Sequence, residues 1–226
     1  FTVTDNVGNS VTYTSASVIK VDTAAPTGAI SATPVGPVSG SVNISGTSAD
    51  TLGGVQKVDV TYAKGATTGN VCLAPPTPTA WSCPWNTAAL PDGLYTITMV
   101  VTHNAGNTNS SAITRTITLD NTAPTTGFNS FTEVSGGQYI YAPSGGSTMY
   151  YNPVGTGSFK VLIDASDAGA GMDRVDFPAP GTDWTPTVTS SDNTAPSPYE
   201  YTYTFTTPSG ASPGLLNTTA FDLAGK

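Results

Sequence analysis

Apolar and polar residues alternate with a period of two along much of this chain, and no stretch sustains an apolar period near 3.6. The pattern predicts strands and little helix. In Val55-Gln-Lys-Val-Asp-Val-Thr-Tyr62, the residues Val58, Val60 and Tyr62 fall opposite Lys57 and Asp59, as a sheet with one buried and one wet face requires. Ser41 to Ser45, Leu94 to Thr102 and Tyr199 to Phe205 alternate in the same way, and Ala112 to Leu119 reads as another strand. Pro91-Asp-Gly93 supplies a turn before the long strand at Leu94.

A short phrase recurs within this pattern. Thr4-Asp-Asn-Val-Gly-Asn9 returns as Thr102-His-Asn-Ala-Gly-Asn107 and again as Phe221-Asp-Leu-Ala-Gly-Lys226. A second phrase follows the first two copies, Asp22-Thr-Ala-Ala-Pro26 and Asp120-Asn-Thr-Ala-Pro124. Paired markers at domain-sized intervals indicate a tandem array. Three units result: residues 1–22 as the closing hairpin of a preceding domain (with a strand over Val11 to Val21), 23–120 as a full domain, and 121–226 as a second. Within the second, Phe159 to Asp164 matches Val42 to Thr47, and Met172 to Phe177 matches Val55 to Val60. Gly214 to Asp222 reads as its last strand, with the closing strand that follows the earlier phrases missing, so the chain reads as one slice of a longer array. About seven short strands per hundred residues is the density of an immunoglobulin-like sandwich. The expected fold is therefore all-β, tandem immunoglobulin-like sandwiches with Greek-key topology.

Composition narrows the use of such a fold. Charged residues are 10% of the chain and the formal net charge is −8, with seven Lys and Arg scattered singly. No basic stripe exists, which argues against nucleic acid, and no apolar run is long enough to span a membrane as a helix. Cys72 and Cys83 flank a Pro-rich loop, and the chain has one histidine, too few ligands for a Cys-based metal site. The two cysteines are expected to form a structural disulfide, which implies an oxidising location.

The phrases also carry a resemblance. The chain resembles the bacterial immunoglobulin-like repeats of large extracellular and cell-surface proteins, whose repeats close on Asp-x-Ala-Gly-Asn and pass through Asp-Thr-x-Ala-Pro to the next domain. Ala80-Trp-Ser-Cys-Pro-Trp-Asn86, followed by Pro91-Asp-Gly-Leu-Tyr95, is similar to the disulfide-bearing variety of that repeat. The resemblance implies a surface or extracellular context and covers essentially the whole chain. It leaves the activity open, because such domains are used as spacers, adhesins and carbohydrate-binding appendages.

The candidate chemistry is sparse. His103 stands where Asp5 and Asp222 stand in the other turn phrases, which reads as a substitution within a structural turn. No nucleophile motif or phosphate-binding glycine loop is present, and Asp164 and Asp167 sit close together in sequence rather than on separate strands around a cleft. The expectation is a protein that is not an enzyme and that requires no cofactor. In an immunoglobulin-like sandwich the incoming linker, the loop between the second and third core strands and the closing-hairpin loop meet at one end. That would gather Asp22, Asp50 and His103 at the first junction, and Asp120, Asn121, Asp167 and Asp222 at the second. Calcium takes about six to eight oxygen ligands, which carboxylates and carbonyls from three segments could provide. The same residues also favour turns without any metal. Trp184, Tyr199 and Tyr201 offer a glycan-stacking platform if their strand face is outward, and are core if it is inward.

The function expected on these grounds is a structural and adhesive repeat segment, part of a stalk or filament, whose partners are neighbouring domains of the same array. Two alternatives are a carbohydrate-binding appendage that meets surface glycans, and a filament subunit joined head to tail to copies of itself by β-strand complementation.

Overall fold

The computed structural model describes residues 1–14, 20–75, 78–206 and 212–226. An antiparallel hairpin comes first, β1 (Thr2–Thr4) and β2 (Ser10–Thr12), joined by the first turn phrase. The hairpin is exposed throughout, and among the described residues its two strands pair only with each other. The strand expected over Val11 to Val21 is shorter, because β1 offers only three partners; residues 15–19 lie outside the described residues, and 20–26 run as an irregular linker.

The first sandwich follows. Its strands are β3 (Thr27–Ile30), β4 (Ser41–Ala49), β5 (Val55–Lys64), β6 (Thr67–Leu73), β7 (Ala80–Asn86), β8 (Gly93–His103) and β9 (Ile113–Leu119). One sheet has the order β3-β4-β7 and the other β6-β5-β8-β9, all antiparallel. The chain therefore changes sheet between β4 and β5, β6 and β7, and β7 and β8, the connectivity of an immunoglobulin-like Greek key. The alternation read from sequence decides which side chains face inward. Val58 and Val60 on β5, Tyr95, Ile97, Met99 and Val101 on β8, and Trp81, Cys83 and Trp85 on β7 fill the space between the sheets.

β7 lies at the edge of its sheet, so Pro84 removes no ladder hydrogen bond there. Trp81 fits because it passes over Gly46 of β4, where an added Cβ would lie 2.4 Å from the indole ring and 2.2 Å from the Ala29 carbonyl oxygen. The Tyr95 hydroxyl donates to the Pro91 carbonyl at 2.8 Å, fixing the turn that launches β8. Cys72 on β6 and Cys83 on β7 are joined, with their Cα atoms 5.9 Å apart. Because β6 and β7 belong to different sheets, the bond ties the two sheets together.

The second sandwich repeats the plan with additions. β10 (Thr125–Ser135) is followed by a 3₁₀ turn at Gly137–Tyr139 and by a small hairpin, β11 (Ile140–Tyr141) and β12 (Tyr150–Tyr151), that has no counterpart in the first sandwich. Then come β13 (Gly157–Ser166), β14 (Met172–Phe177), β15 (Trp184–Thr185), β16 (Ser190–Asp192), β17 (Tyr199–Phe205) and β18 (Thr219–Asp222). The sheets have the orders β10-β13-β17-β15 and β16-β14-β18. The last strand is much shorter than the expected Gly214 to Asp222. β14 offers it partners only at Met172 to Asp176, and among the described residues nothing pairs with its other edge. The core is aromatic: Phe159, Phe177, Trp184, Tyr199, Tyr203 and Phe205 are all buried.

The disulfide closes a short loop, and loop-closure entropy assigns such a bridge about 3 kcal/mol. Chemical denaturation of the Cys72→Ser, Cys83→Ser double variant is expected to show the first sandwich destabilised by about that amount, with the second unchanged. An equal loss in both would mean that the sandwiches unfold as one unit.

Candidate metal centre at the domain junction

Each turn phrase is built by the side chain at its second position. The Asp5 Oδ1 accepts the backbone N–H groups of Val7 and Asn9, both at 2.9 Å. Asp222 Oδ1 accepts those of Ala224 and Lys226 at 2.8 and 2.9 Å. His103 keeps half of this arrangement: Nδ1 accepts the N–H of Ala105 at 3.0 Å. The histidine thus serves as a turn former, which answers why it can stand in an aspartate position.

The loop between the second and third core strands is organised alike in both sandwiches. Asp50 Oδ1 accepts N–H groups from Leu52, Gly53 and Gly54 at 3.2, 2.7 and 2.7 Å. Asp167 Oδ1 accepts those of Gly169 and Gly171 at 3.0 and 2.8 Å. Into each loop comes the linker aspartate. Asp120 takes the N–H of Thr122 at 3.2 Å on one oxygen and that of Ala170 on the other. Glycine makes the approach feasible, since a Cβ on Gly169 would lie 2.2 Å from Asp120 Oδ2 and one on Gly53 would lie 2.6 Å from Asp22 Oδ2.

At the second junction these three turns converge. Asp120, Asp167 and Asp222 each bring a carboxylate oxygen within 4.8 Å of the others. Asp120 is 0% and Asp222 2% exposed. Burial is the main force pushing the Asp120 carboxyl above its ordinary range, and the nearby Asp167 and Asp222 charges push the same way, against the two backbone hydrogen bonds. Asp222 Oδ2 is buried and has no hydrogen-bond partner. An orphaned carboxylate oxygen among like charges is the electrostatic signature of a place that suits a cation, and the donors are all hard oxygens. The residues present therefore fit a divalent ion of the calcium type.

Asn121 does not join this cluster. Its Oδ1 accepts the Gly40 N–H at 2.9 Å, and its Nδ2 donates to the Thr87 carbonyl at 2.9 Å, so it pegs the linker into the first sandwich. Asp92 completes the peg. Oδ1 accepts the Asn121 N–H at 2.7 Å and Oδ2 accepts the Thr122 hydroxyl at 2.5 Å. Ser39 Oγ donates to the Ala224 carbonyl at 2.9 Å, a direct bond between the first sandwich and the turn phrase of the second. Sequence reading missed Asp92 because Pro91-Asp-Gly93 is explained as a turn already; that its side chain reaches the linker depends on β8 and β9 lying side by side.

The first junction gathers Asp22, Asp50 and His103 differently. His103 Nδ1 lies 3.8 Å from Asp22 Oδ2, and that oxygen is buried without a hydrogen-bond partner. A ring nitrogen already engaged by Ala105 stands where the second junction has a carboxylate with a free oxygen, so the donor set is poorer for a hard cation. Asp164 is apart from both clusters, its two oxygens taking the Asn129 amide at 3.0 Å.

Of the two roles left open for Trp184, Tyr199 and Tyr201, burial favours the core. Trp184 is 5% and Tyr199 1% exposed, and Tyr201 packs on the core with its ring stacked on Phe177 at 5.8 Å. The strand face that carries Tyr199 and Tyr203 points inward, because β17 is sandwiched between β13 and β15 and its apolar face has the other sheet to cover. These aromatics are core.

Family models of immunoglobulin-like domains agree with the architecture. Residues 26–99 match the model of the bacterial Ig domain, and residues 79–144 that of the bacterial Ig-like domain (group 3). No curated protein matches the chain. Among solved structures, murine CRIg is similar at 19% identity over 42% of this chain and 97% of its own, with a TM-score of 0.28. A tetra-tandem repeat from the extending region of a large adhesion protein is similar at 18% identity, with a TM-score of 0.34. This chain is covered fully by that match and spans 52% of the length of the repeat structure.

The Asp92 peg titrates. The Thr122 hydroxyl first, then the Asn121 N–H, hold its carboxyl below the ordinary range. A depressed folded value gives stability that is full above the unfolded carboxylate pKa and is lost as pH falls through the folded one. In Asp92→Asn that acid-side loss is expected to disappear, at a neutral-pH cost of about 1 kcal/mol for the weakened hydrogen bonds. Melting of the two proteins across the acid range checks this, and parallel curves would remove Asp92 from the account.

Proposed function

We propose that this chain, built of bacterial immunoglobulin-like domains, is a structural and adhesive repeat segment of an extracellular or cell-surface protein, a stalk whose junctions are stiffened by Ca²⁺. The observation that carries the reading is the buried carboxylate cluster of Asp120, Asp167 and Asp222, formed jointly by a linker and two loops of the domain it enters. The linker is held at both ends. Asn121 and Asp92 fix it to the first sandwich, and Asp120 reaches into the second through the Ala170 N–H.

The ion would be held by Asp120, Asp167 and Asp222 and would supply positive charge where three carboxylates otherwise repel. The chain's own contribution is the geometry. One oxygen of Asp167 and one of Asp222 is spent on turn N–H groups, which sets the orientation of each carboxylate before any ligand arrives. Such preorganisation lowers the ordering that binding must otherwise impose. A linker clamped in this way resists bending, and resistance to bending is what a stalk requires. The disulfide between Cys72 and Cys83 supports an oxidising, extracellular setting.

Thermal unfolding in EDTA and then across a calcium titration tests the reading. Binding to the native state is expected to raise the melting transition of the second sandwich, by about 2.7 kcal/mol in stability at a calcium concentration a hundredfold above Kd. Asp222→Asn and Asp120→Asn are expected to abolish the rise while both sandwiches still fold. A transition indifferent to millimolar calcium would defeat the stiffening mechanism.

A further inference from the structure

The two junctions are built to one plan and differ in one donor. Asp22, Asp50 and His103 stand in the first where Asp120, Asp167 and Asp222 stand in the second. Asp22 Oδ1 accepts the Ala24 N–H at 3.0 Å, as Asp120 Oδ1 accepts that of Thr122. The second oxygen of the linker aspartate is treated differently. Three residues beyond Asp167, the Ala170 N–H turns to Asp120 Oδ2, whereas three beyond Asp50 the Gly53 N–H donates to Asp50 itself at 2.7 Å. Asp22 Oδ2 is left with no hydrogen-bond partner among the described residues, on a side chain that is 4% exposed. A buried carboxylate oxygen without a partner is costly, and it marks a place that favours positive charge.

The donors around that oxygen are mixed in kind. A Cβ built on Gly53 would lie 2.6 Å from Asp22 Oδ2, 3.3 Å from His103 Nδ1 and 3.5 Å from Asp50 Oδ1. One imidazole nitrogen and two carboxylates thus converge on a single point beside the Gly53 backbone. The His103 ring is fully buried, and its Nδ1 lies 3.8 Å from Asp22 Oδ2. Three donors are few for calcium, which takes about six to eight oxygens. They suit a smaller ion that takes about four ligands, accepts nitrogen beside oxygen and completes its shell with water, as zinc does. Nδ1 must release the Ala105 N–H to bind, and ligation must draw the ring and Asp50 inward. A hard cation gains little from that exchange, whereas imidazole is a preferred ligand of zinc.

We propose that the first junction is a site for a divalent ion of the zinc class, held by Asp22, Asp50 and His103. The ion draws together the linker, the loop between β4 and β5 and the turn after β8, the same three segments that carry the carboxylates of the second junction. The proposal rests on the geometry of the first junction alone and stands whether or not calcium binds at the second. Little else in the chain competes for such an ion, because there is no other histidine and both cysteines are held in the disulfide. A single exchange of aspartate for histidine in the turn phrase then sets which ion a junction answers to.

His103 is the only histidine, so imidazole signals in a proton–nitrogen NMR spectrum report this residue alone. In the full chain, stripped with EDTA and dialysed, zinc added in amounts equal to the protein is expected to shift those signals and to raise the melting transition of the first sandwich. Millimolar calcium is expected to do neither. Asp22→Asn and His103→Asn are each expected to lose the rise with zinc, since asparagine keeps an oxygen for the turn but supplies neither the carboxylate nor the imidazole. His103 signals that stay in place as zinc is added overturn the site, whatever the variants do. A rise that survives in both variants overturns it too, because the zinc would then sit on surface carboxylates only. An equal response to calcium overturns the choice of ion. The calcium titration is read on the second sandwich, so the two ion sites stand or fall separately.

Discussion

Three carboxylates held within 4.8 Å of one another, two of them buried, are the least comfortable arrangement in this molecule, and much of its organisation follows from tolerating it. An isolated buried charge is costly unless paired or hydrogen-bonded. Here each aspartate is partly compensated by backbone N–H groups: Thr122 and Ala170 for Asp120, Gly169 and Gly171 for Asp167, Ala224 and Lys226 for Asp222. Those bonds make the linker, the loop before β14 and the turn after β18 into one unit. The second sandwich cannot shift against its linker without breaking turns that its own fold needs. The linker in turn cannot leave the first sandwich without exposing the amide of Asn121 and the carboxylate of Asp92.

The same carboxylates explain why function was harder to read than fold. An aspartate that builds a turn and an aspartate that could hold an ion look alike in sequence, because one oxygen performs the first task and the other is left for the second. Asp5 and Asp222 make the same two backbone bonds; only the surroundings differ, open solvent for one and a buried cluster for the other. His103 shows the separation from the other side. It reproduces the bond to the residue two positions on and has no second oxygen to offer.

Legibility of the strands followed burial. β4, β5, β8, β9 and β17 lie in sheets with one covered face, and their alternation marks them. β7 carries as clear an alternation, Trp81, Cys83 and Trp85 inward with Ala80, Ser82 and Pro84 outward, but Pro84 and the neighbouring Pro-rich loop argue against a strand in the sequence. Only its edge position makes that proline harmless. β10 and the β11–β12 hairpin were illegible for a different reason: their residues are mostly exposed, and only single side chains such as Phe131, Ile140 and Tyr151 reach the core, too few to set up an alternation. The inward orientation of Trp184 and Tyr199 is likewise a property of the assembled sandwich. Periodicity places Tyr199, Tyr201 and Tyr203 on one face, and only the partner sheet decides which way that face looks.

The shortened β18 makes the general point most sharply. Gly214 to Asp222 aligns with a strand in the first sandwich, yet only its last four residues become one. Strand propensity is largely the propensity to fit between neighbours. β8 meets β5 over Thr96 to His103 and β9 over Gly93 to Met99, whereas the segment before β18 meets β14 only at the end and otherwise borders a groove. Two stretches at equivalent positions thus differ in structure because they differ in company.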